Sequence, residues 1–228
     1  MENSSDNKKH GFRNALFDMD GVLYNSMPKH AVAYRESLKP YGIDMQEELV
    51  YEYEGKKGVE TMKLVGEQKL GRPISDDEAE EMYEAKCRIF KAMPTAEKIA
   101  GVEHLMRRMY DAGWQICVVT GSGQISLLDK LVVDFAPMIT PDRIICSKDY
   151  AVGKPAPDPY LMGLQRLGAK AEETVVVENA PLGVMAGRAA GIFTLAVNTG
   201  PLPKERFEKA GANKIFSSMN EAEEWLFD

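Results

Sequence analysis

The chain is poor in the residues that build disulfide scaffolds and zinc centres. Its 228 residues include three cysteines, Cys87, Cys117 and Cys146, and three histidines, His10, His30 and His104. The cysteine number is odd and no two stand at C-x-x-C spacing, which argues against a disulfide framework and a zinc ribbon. Such usage points to a reducing, cytoplasmic compartment. No HExxH occurs, and the histidines are too dispersed for a zinc site. A metal acting here is expected to be a hard ion held by oxygen. No apolar run approaches about 18 residues, so a membrane-spanning helix is not expected. Basic residues number 28 against 35 acidic ones, a net charge of −7. That balance argues against nucleic acid or an anionic membrane as a general partner. Residues 1–10 are polar and lack an apolar segment, so they read as a short mobile tail and not as a secretory signal.

What the chain has is a composition of 44% hydrophobic and 28% charged residues, ample for the core of a soluble globular protein. The length fits one large domain, or one domain carrying a smaller insertion. Short apolar runs suited to buried strands lie at 14–17, 115–119, 143–145, 174–177, 193–197 and 214–216. Between the later runs, helical periodicity covers 102–110, 124–131, 160–167, 182–190 and 222–226. This alternation predicts an α/β protein with a Rossmann-like parallel sheet covered on both faces. Residues 27–39 are also helical, and 45–93 are rich in Glu, Lys and Met with no convincing strand. Ser75 with Glu78 predicts a helix N-cap and its reciprocal partner. We therefore expect a core of 1–26 and 96–228, with a helical cap inserted at 27–95.

In open α/β sheets, ligands bind beyond the carboxyl ends of the strands. Four groups of residues sit there. Asp18 and Asp20 of Asp18-Met19-Asp20-Gly21 lie at i and i+2 and share one side of an extended chain. Close carboxylates repel, which suits a metal site or a nucleophile with an acid–base partner; Asp and Gly also make ordinary turns. Thr120-Gly121-Ser122-Gly123-Gln124 leaves backbone N–H groups free for an anion at a strand-to-helix junction. The third glycine of a dinucleotide fingerprint is missing, so phosphate fits better than a dinucleotide; a plain strand-to-helix turn is the alternative. Lys154 precedes a proline, which keeps it out of α geometry. It reads either as a fixed charge beside phosphate oxygens or as a solvated loop lysine. Glu178 and Asn179 end another strand, where they offer oxygens to Mg²⁺, or Asn179 caps the next helix.

In this order, DMDGVLYNS, VVTGS, the lysine of GKPAPDPY, and VVVENAPLGV resemble the four motifs of the haloacid dehalogenase superfamily of phosphotransferases. The resemblance runs from about Arg13 to the C-terminus. The insertion is similar to the helical cap of the subgroup that includes β-phosphoglucomutase and many small phosphatases. The resemblance implies that Asp18 is the nucleophile, forming an aspartyl-phosphate. It implies that Asp20 is the general acid and then the base, with a pKa raised enough to hold a proton. Thr120, Gly121 and Ser122 would bind the phosphoryl oxygens, and Lys154 would neutralise charge between nucleophile and phosphate. Mg²⁺ would sit between Asp18, the backbone carbonyl of Asp20 and Asn179, with Glu178 close by. Many relatives have Glu-Asp where this chain has Glu178-Asn179. One negative charge fewer predicts weaker Mg²⁺ binding.

The cap should set substrate choice. In β-phosphoglucomutase-like proteins a loop of the cap supplies cations to a distal phosphate. Aligned on its glycine, the loop at 51–59 places Glu54 where those enzymes have lysine and Gly58 where they have arginine. A carboxylate there repels a distal phosphate unless a metal or proton intervenes. The leading expectation is a Mg²⁺-dependent phosphohydrolase of a small phosphorylated metabolite, with inorganic pyrophosphate as the limiting case. The adjacent Lys56 and Lys57 keep the mutase in play as the alternative. A binding protein that retains the fold without catalysis is the third reading. His30 falls where the mutases have a histidine. It either couples cap closure to proton transfer or is a hinge-helix histidine with a backbone partner. A monomer is expected, since a mobile cap requires no partner.

Overall fold

The computed structural model describes residues 10–228. Six strands form one parallel sheet: β1 (Asn14–Phe17), β2 (Gln115–Val119), β3 (Ile144–Ile145), β4 (Thr174–Glu178), β5 (Phe193–Val197) and β6 (Lys214–Phe216), in the order β3-β2-β1-β4-β5-β6. The strands are short, apolar and buried on both faces. In β1, Ala15 and Phe17 join one apolar cluster while Leu16 joins the cluster on the opposite face. That is the alternation a doubly covered strand imposes. Phe17 pairs with Val118 on one side and Val177 on the other. The register therefore brings the residues just beyond β1, β2 and β4 to one edge. The strand order reverses beside β1, and such a switch point opens a crevice at the carboxyl edge.

Among the described residues, ten α-helices surround and extend this sheet. Four belong to the insertion: α1 (Met27–Leu38), α2 (Glu47–Glu52), α3 (Gly58–Leu70) and α4 (Asp76–Ala92). Six follow the strands or precede them: α5 (Val102–Asp111), α6 (Ile125–Asp134), α7 (Asp158–Leu167), α8 (Pro181–Ala189), α9 (Lys204–Lys209) and α10 (Met219–Phe227). The α/β architecture expected from the alternating pattern is borne out. Among the described residues no helix is long and apolar enough to cross a membrane, and all three cysteines are free. The apolar cluster of α1–α4 continues into Val184, Ala196, Leu202 and Phe207 of the sheet domain.

Several local expectations change. The loop at 51–59 is narrower than expected, because Glu52 ends α2 and Gly58 begins α3. Ser75 caps α4 by accepting from the Glu78 N–H at 3.1 Å, but the Glu78 carboxylate does not return to it. It instead holds Arg72 through two nitrogens, at 2.6 and 2.9 Å. The expected mobile tail falls on residues 1–9, outside the described residues. Its last member, His10, is packed: its ring stacks on Trp225 at 4.0 Å.

The insertion joins the sheet domain through two paired linkers. Asn25 N–H donates to Glu97 O at 2.8 Å and Ile99 N–H to Leu23 O at 2.9 Å, around an antiparallel bridge between Tyr24 and Lys98. Polar and close contacts add to the apolar cluster of α1–α4 in closing the insertion over the sheet edge. Glu52 pairs with Arg206. Lys57 Nζ donates to Tyr150 O at 3.0 Å. Tyr51 lies so close to Gly200 that a Cβ there would be 2.5 Å from its ring.

Candidate active site

The carboxyl edge collects Asp18, Asp20, Thr120, Lys154, Glu178 and Asn179, and every one of them is buried. Lys154 is 1% exposed, so the solvated-lysine reading fails. Its Nζ donates to Asp18 Oδ1 at 2.5 Å, to Glu178 Oε1 at 2.6 Å and to Val119 O at 3.3 Å. Burial by itself lowers its pKa, but Asp18 and Glu178 hold it well above the ordinary value. It is a fixed cation braced between two strand ends.

Glu178 had been expected beside a metal, yet both of its oxygens are engaged. Oε1 accepts from Lys154 and from the Tyr160 hydroxyl at 2.5 Å. Oε2 accepts from the N–H groups of Asn179 and Ala180 at 3.1 and 3.3 Å. In this arrangement Glu178 positions Lys154. Gly183 makes room for it, since a Cβ there would fall 1.8 Å from Oε1.

Asn179 is 2% exposed, and neither its Oδ1 nor its Nδ2 has a hydrogen-bond partner. The N-cap of α8 is Ala180, so Asn179 does not cap that helix. Asp18 Oδ2 is likewise buried without a partner. Burial pushes the Asp18 carboxyl up to about 7 even with Lys154 beside it, and Glu178 adds to the rise. Two orphaned oxygens and a carboxyl short of positive charge are what a hard cation satisfies. The donor set of Asp18, Asn179 and the Asp20 carbonyl thus fits Mg²⁺. It mixes acid, amide and backbone oxygens, so among the described residues no cluster of three or more acid, His or Cys side chains marks it. Gly21, at φ 81°, turns the chain away from this spot; a Cβ there would lie 1.9 Å from Asn179 Nδ2.

Asp20 Oδ1 accepts from Ser26 Oγ at 2.6 Å and lies 3.1 Å from His30 Nε2. The expectation that Asp20 holds a raised pKa is not met. Burial raises it, but His30 and Ser26 outweigh burial and bring it to about 2. His30 has a carboxylate partner, so the reading as a hinge histidine with a backbone partner fails. Its ring also stacks on Phe90 of α4 at 4.3 Å. Thr120 Oγ1 accepts from Ser122 N–H at 3.0 Å, which folds 120–122 into a tight turn with the Thr120 hydroxyl proton still available.

Cap residues complete the surroundings. A chamber of about 30 Å³ lies above Asp20, walled by Glu54, Lys56, Lys86, Tyr83, Ser122 and Gln124 among others. Burial and the charges of Asp20 and Asp18 hold the Glu54 pKa well above the carboxylate range. Lys86 was not singled out from the sequence. It is 3% exposed, with Nζ 4.9 Å from the Tyr34 ring and 5.1 Å from the Phe90 ring, and it forms no ion pair among the described residues. Its signal was available: Ala79, Met82, Lys86 and Phe90 mark the buried stripe of α4, and a lysine interrupts that apolar spacing. Tyr160 was visible only as the end of a loop and the start of a helix, and Ser26 only as the end of the first motif.

The haloacid dehalogenase-like hydrolase family model matches residues 15–197. Hexitol phosphatase A of Escherichia coli is 32% identical over 187 residues, covering 80% of this chain and 82% of that protein. A phosphorylated carbohydrates phosphatase of Thermotoga maritima is 28% identical, covering 78% of this chain and 81% of that one. Among solved structures, a Bacteroides vulgatus protein proposed to be a β-phosphoglucomutase superposes with a TM-score of 0.88 at 38% identity, covering 95% of this chain and 90% of that one. The motif order, the braced lysine and the extent of these matches agree: the chain belongs to the haloacid dehalogenase-like hydrolase family.

Proposed function

We propose that this protein is a phosphohydrolase that passes a phosphoryl group through Asp18, and that its cap favours a very small substrate, with inorganic pyrophosphate the best fit. The observation that supports the size limit is the chamber of about 30 Å³ between Asp20 and the cap. A cavity that admits benzene is about 150 Å³; even pyrophosphate exceeds the chamber, so the cap must open for any substrate, and the smallest one requires the least opening. A hexose is larger still.

Asp18 attacks phosphorus, and the bond from phosphorus to the leaving oxygen breaks. Lys154 offsets the charge gathering between nucleophile and phosphate. The Thr120 hydroxyl and the Gly121 N–H hold the phosphoryl oxygens, while the Ser122 N–H stays on Thr120 Oγ1 and fixes the turn. Asp20 gives its proton to the leaving oxygen. The proton reaches Asp20 with the substrate, because an incoming anion opposes the ionisation that His30 and Ser26 favour. Water then gives a proton to Asp20 and attacks phosphorus. The bond to Asp18 breaks and phosphate leaves. Mg²⁺ held by Asp18, the Asp20 carbonyl and Asn179 would screen the phosphoryl anion from the nucleophile.

The cap argues against a sugar bisphosphate. Glu54 lies where the mutases have lysine, and its carboxyl, held toward the neutral form by burial, Asp20 and Asp18, supplies no cation to a distal phosphate. A Cβ at Gly58 would lie 1.9 Å from the Tyr83 ring, so an arginine has no room there while Tyr83 keeps its place. The mutase remains the second reading because the Asp20–His30 pair and the 38% identical neighbour favour it. The curated relatives point to sugar phosphates as the next substrates to compare.

Phosphate release from pyrophosphate, acetyl phosphate, hexitol phosphates and β-glucose 1-phosphate, with and without Mg²⁺, tests the reading. Pyrophosphate should be fastest, and Asp18→Asn should lose at least about a thousand-fold in kcat/KM. Slow release from all of them, with β-glucose 1-phosphate converted once a bisphosphate is added, would establish the mutase instead. Unchanged turnover in Asp18→Asn would remove the nucleophile assignment.

A further inference from the structure

Asp20 also walls a second and larger cavity. This one, of about 220 Å³, opens on the linker side of the site, between the C-terminal end of α4 and the N-terminal half of α6. It differs from the cap chamber in size and in chemistry. At more than the about 150 Å³ that admits benzene, it has room for a six-membered ring carrying a small substituent. Tyr24, Phe90 and Leu127 make its wall apolar and partly aromatic. Three lysines line it, in unequal states. Lys130 is neutralised by Asp134. Lys29 and Lys91 have no ion pair among the described residues, and Lys29 Nζ stands 4.4 Å from the Phe90 ring centroid. A pocket with an apolar body and unspent cations selects an amphipathic anion. Asp20 fixes which end of that anion lies inward. Its Oδ1 is committed to Ser26 and His30, which leaves Oδ2 to serve a leaving oxygen.

We propose that this cavity is a second leaving-group subsite, which takes the ring of a flat phosphate monoester bearing a carboxylate, with the carboxylate set against Lys29 and Lys91. The inference rests on the reading of Asp20 as the general acid. The reaction is the one already given: the bond from phosphorus to the ester oxygen breaks, that oxygen takes the Asp20 proton and leaves as a phenol, and water supplies the oxygen that remains on phosphate. The protein would then serve two substrate classes through one nucleophile, the smallest through the cap chamber and aryl esters through the linker cavity.

The test compares 4-carboxyphenyl phosphate with phenyl phosphate. In wild type, kcat/KM should favour the carboxylate by about ten-fold, which is about 1.4 kcal/mol. In Lys29→Gln/Lys91→Gln the ratio should fall to near one. A ratio near one in wild type, or one undiminished in the double variant, overturns the subsite. Calorimetric binding of both esters to Asp18→Asn separates this inference from the hydrolase reading. Tighter binding of the carboxylate by the same factor, lost in the lysine variants, supports the subsite even if wild type turns over neither ester, and then only the hydrolase reading fails. Equal affinities overturn the subsite.

Discussion

Asn179 is where one atom decides how tightly the edge holds a cation. Its amide oxygen can ligate, but it brings no charge, and its buried Oδ1 has nothing else to bond. Asn179→Asp should tighten Mg²⁺ by about ten-fold, since ligand charge tunes affinity for hard cations. A Mg²⁺ titration of the two proteins checks this, and equal affinities would refute it. Glu178 illustrates the cost of removing a single hydroxyl. Tyr160→Phe leaves Lys154 in place but removes a 2.5 Å donor from Glu178 Oε1. Urea denaturation should show a loss of about 1–3 kcal/mol, and a midpoint within error of wild type would mean that Lys154 alone satisfies the carboxylate. Asp18, Asp20 and Asn179 stood out in the sequence because each follows the end of an apolar strand, and Lys154 because a proline follows it in a stiff loop. Nothing in the sequence showed that Glu178 Oε1 is occupied, because its donors come from positions 154 and 160, which only the fold brings near.

Among the elements, α4 departs most from local rules. Its buried stripe carries Lys86, whose ammonium is surrounded by aromatic rings and lacks a carboxylate partner among the described residues. Burial lowers the pKa of Lys86 against the pull of Asp20 and Glu54. A buried lysine in this state costs stability, and such costs are kept where function needs them. Lys86→Met should therefore raise the unfolding free energy by about 1–3 kcal/mol while lowering turnover. A melt with no rise, or full activity, would argue that the ammonium is packed for another reason. The periodicity of α4 was readable and its cap at Ser75 was correct, yet the Glu78 partner was not, since a bidentate Arg72 outcompeted a backbone N–H. The short helix α9 was missed. Its six residues contain one buried side chain, Phe207, too little for an apolar period.

At the scale of the molecule, the cap rests on the sheet edge through the apolar cluster that reaches Val184, Ala196, Leu202 and Phe207 and through close approaches such as Tyr51 on Gly200. Gly200→Val would push the Tyr51 ring away and prop the cap open. The expected result is a KM raised about ten-fold and a larger radius of gyration by small-angle scattering, with the sheet domain still folded. An unchanged KM would mean that the cap closes by another route. The long gap in the strand pattern could be read from the sequence, because strands stop at 17 and resume at 115. How the two parts meet could not, because Glu52–Arg206 and Lys57–Tyr150 join residues about 90 to 150 positions apart by surface complementarity that leaves no pattern along the chain.

The linkers carry a further consequence. They leave the sheet and return to it side by side, joined by backbone hydrogen bonds between Asn25 and Glu97 and between Ile99 and Leu23. To the sheet, the whole insertion is therefore one loop between two adjacent anchor points. Its length and sequence can change without moving Asp18, provided that its ends still meet. Substrate range can thus evolve by exchange of a segment, as an interchangeable module, provided that His30 is kept beside Asp20.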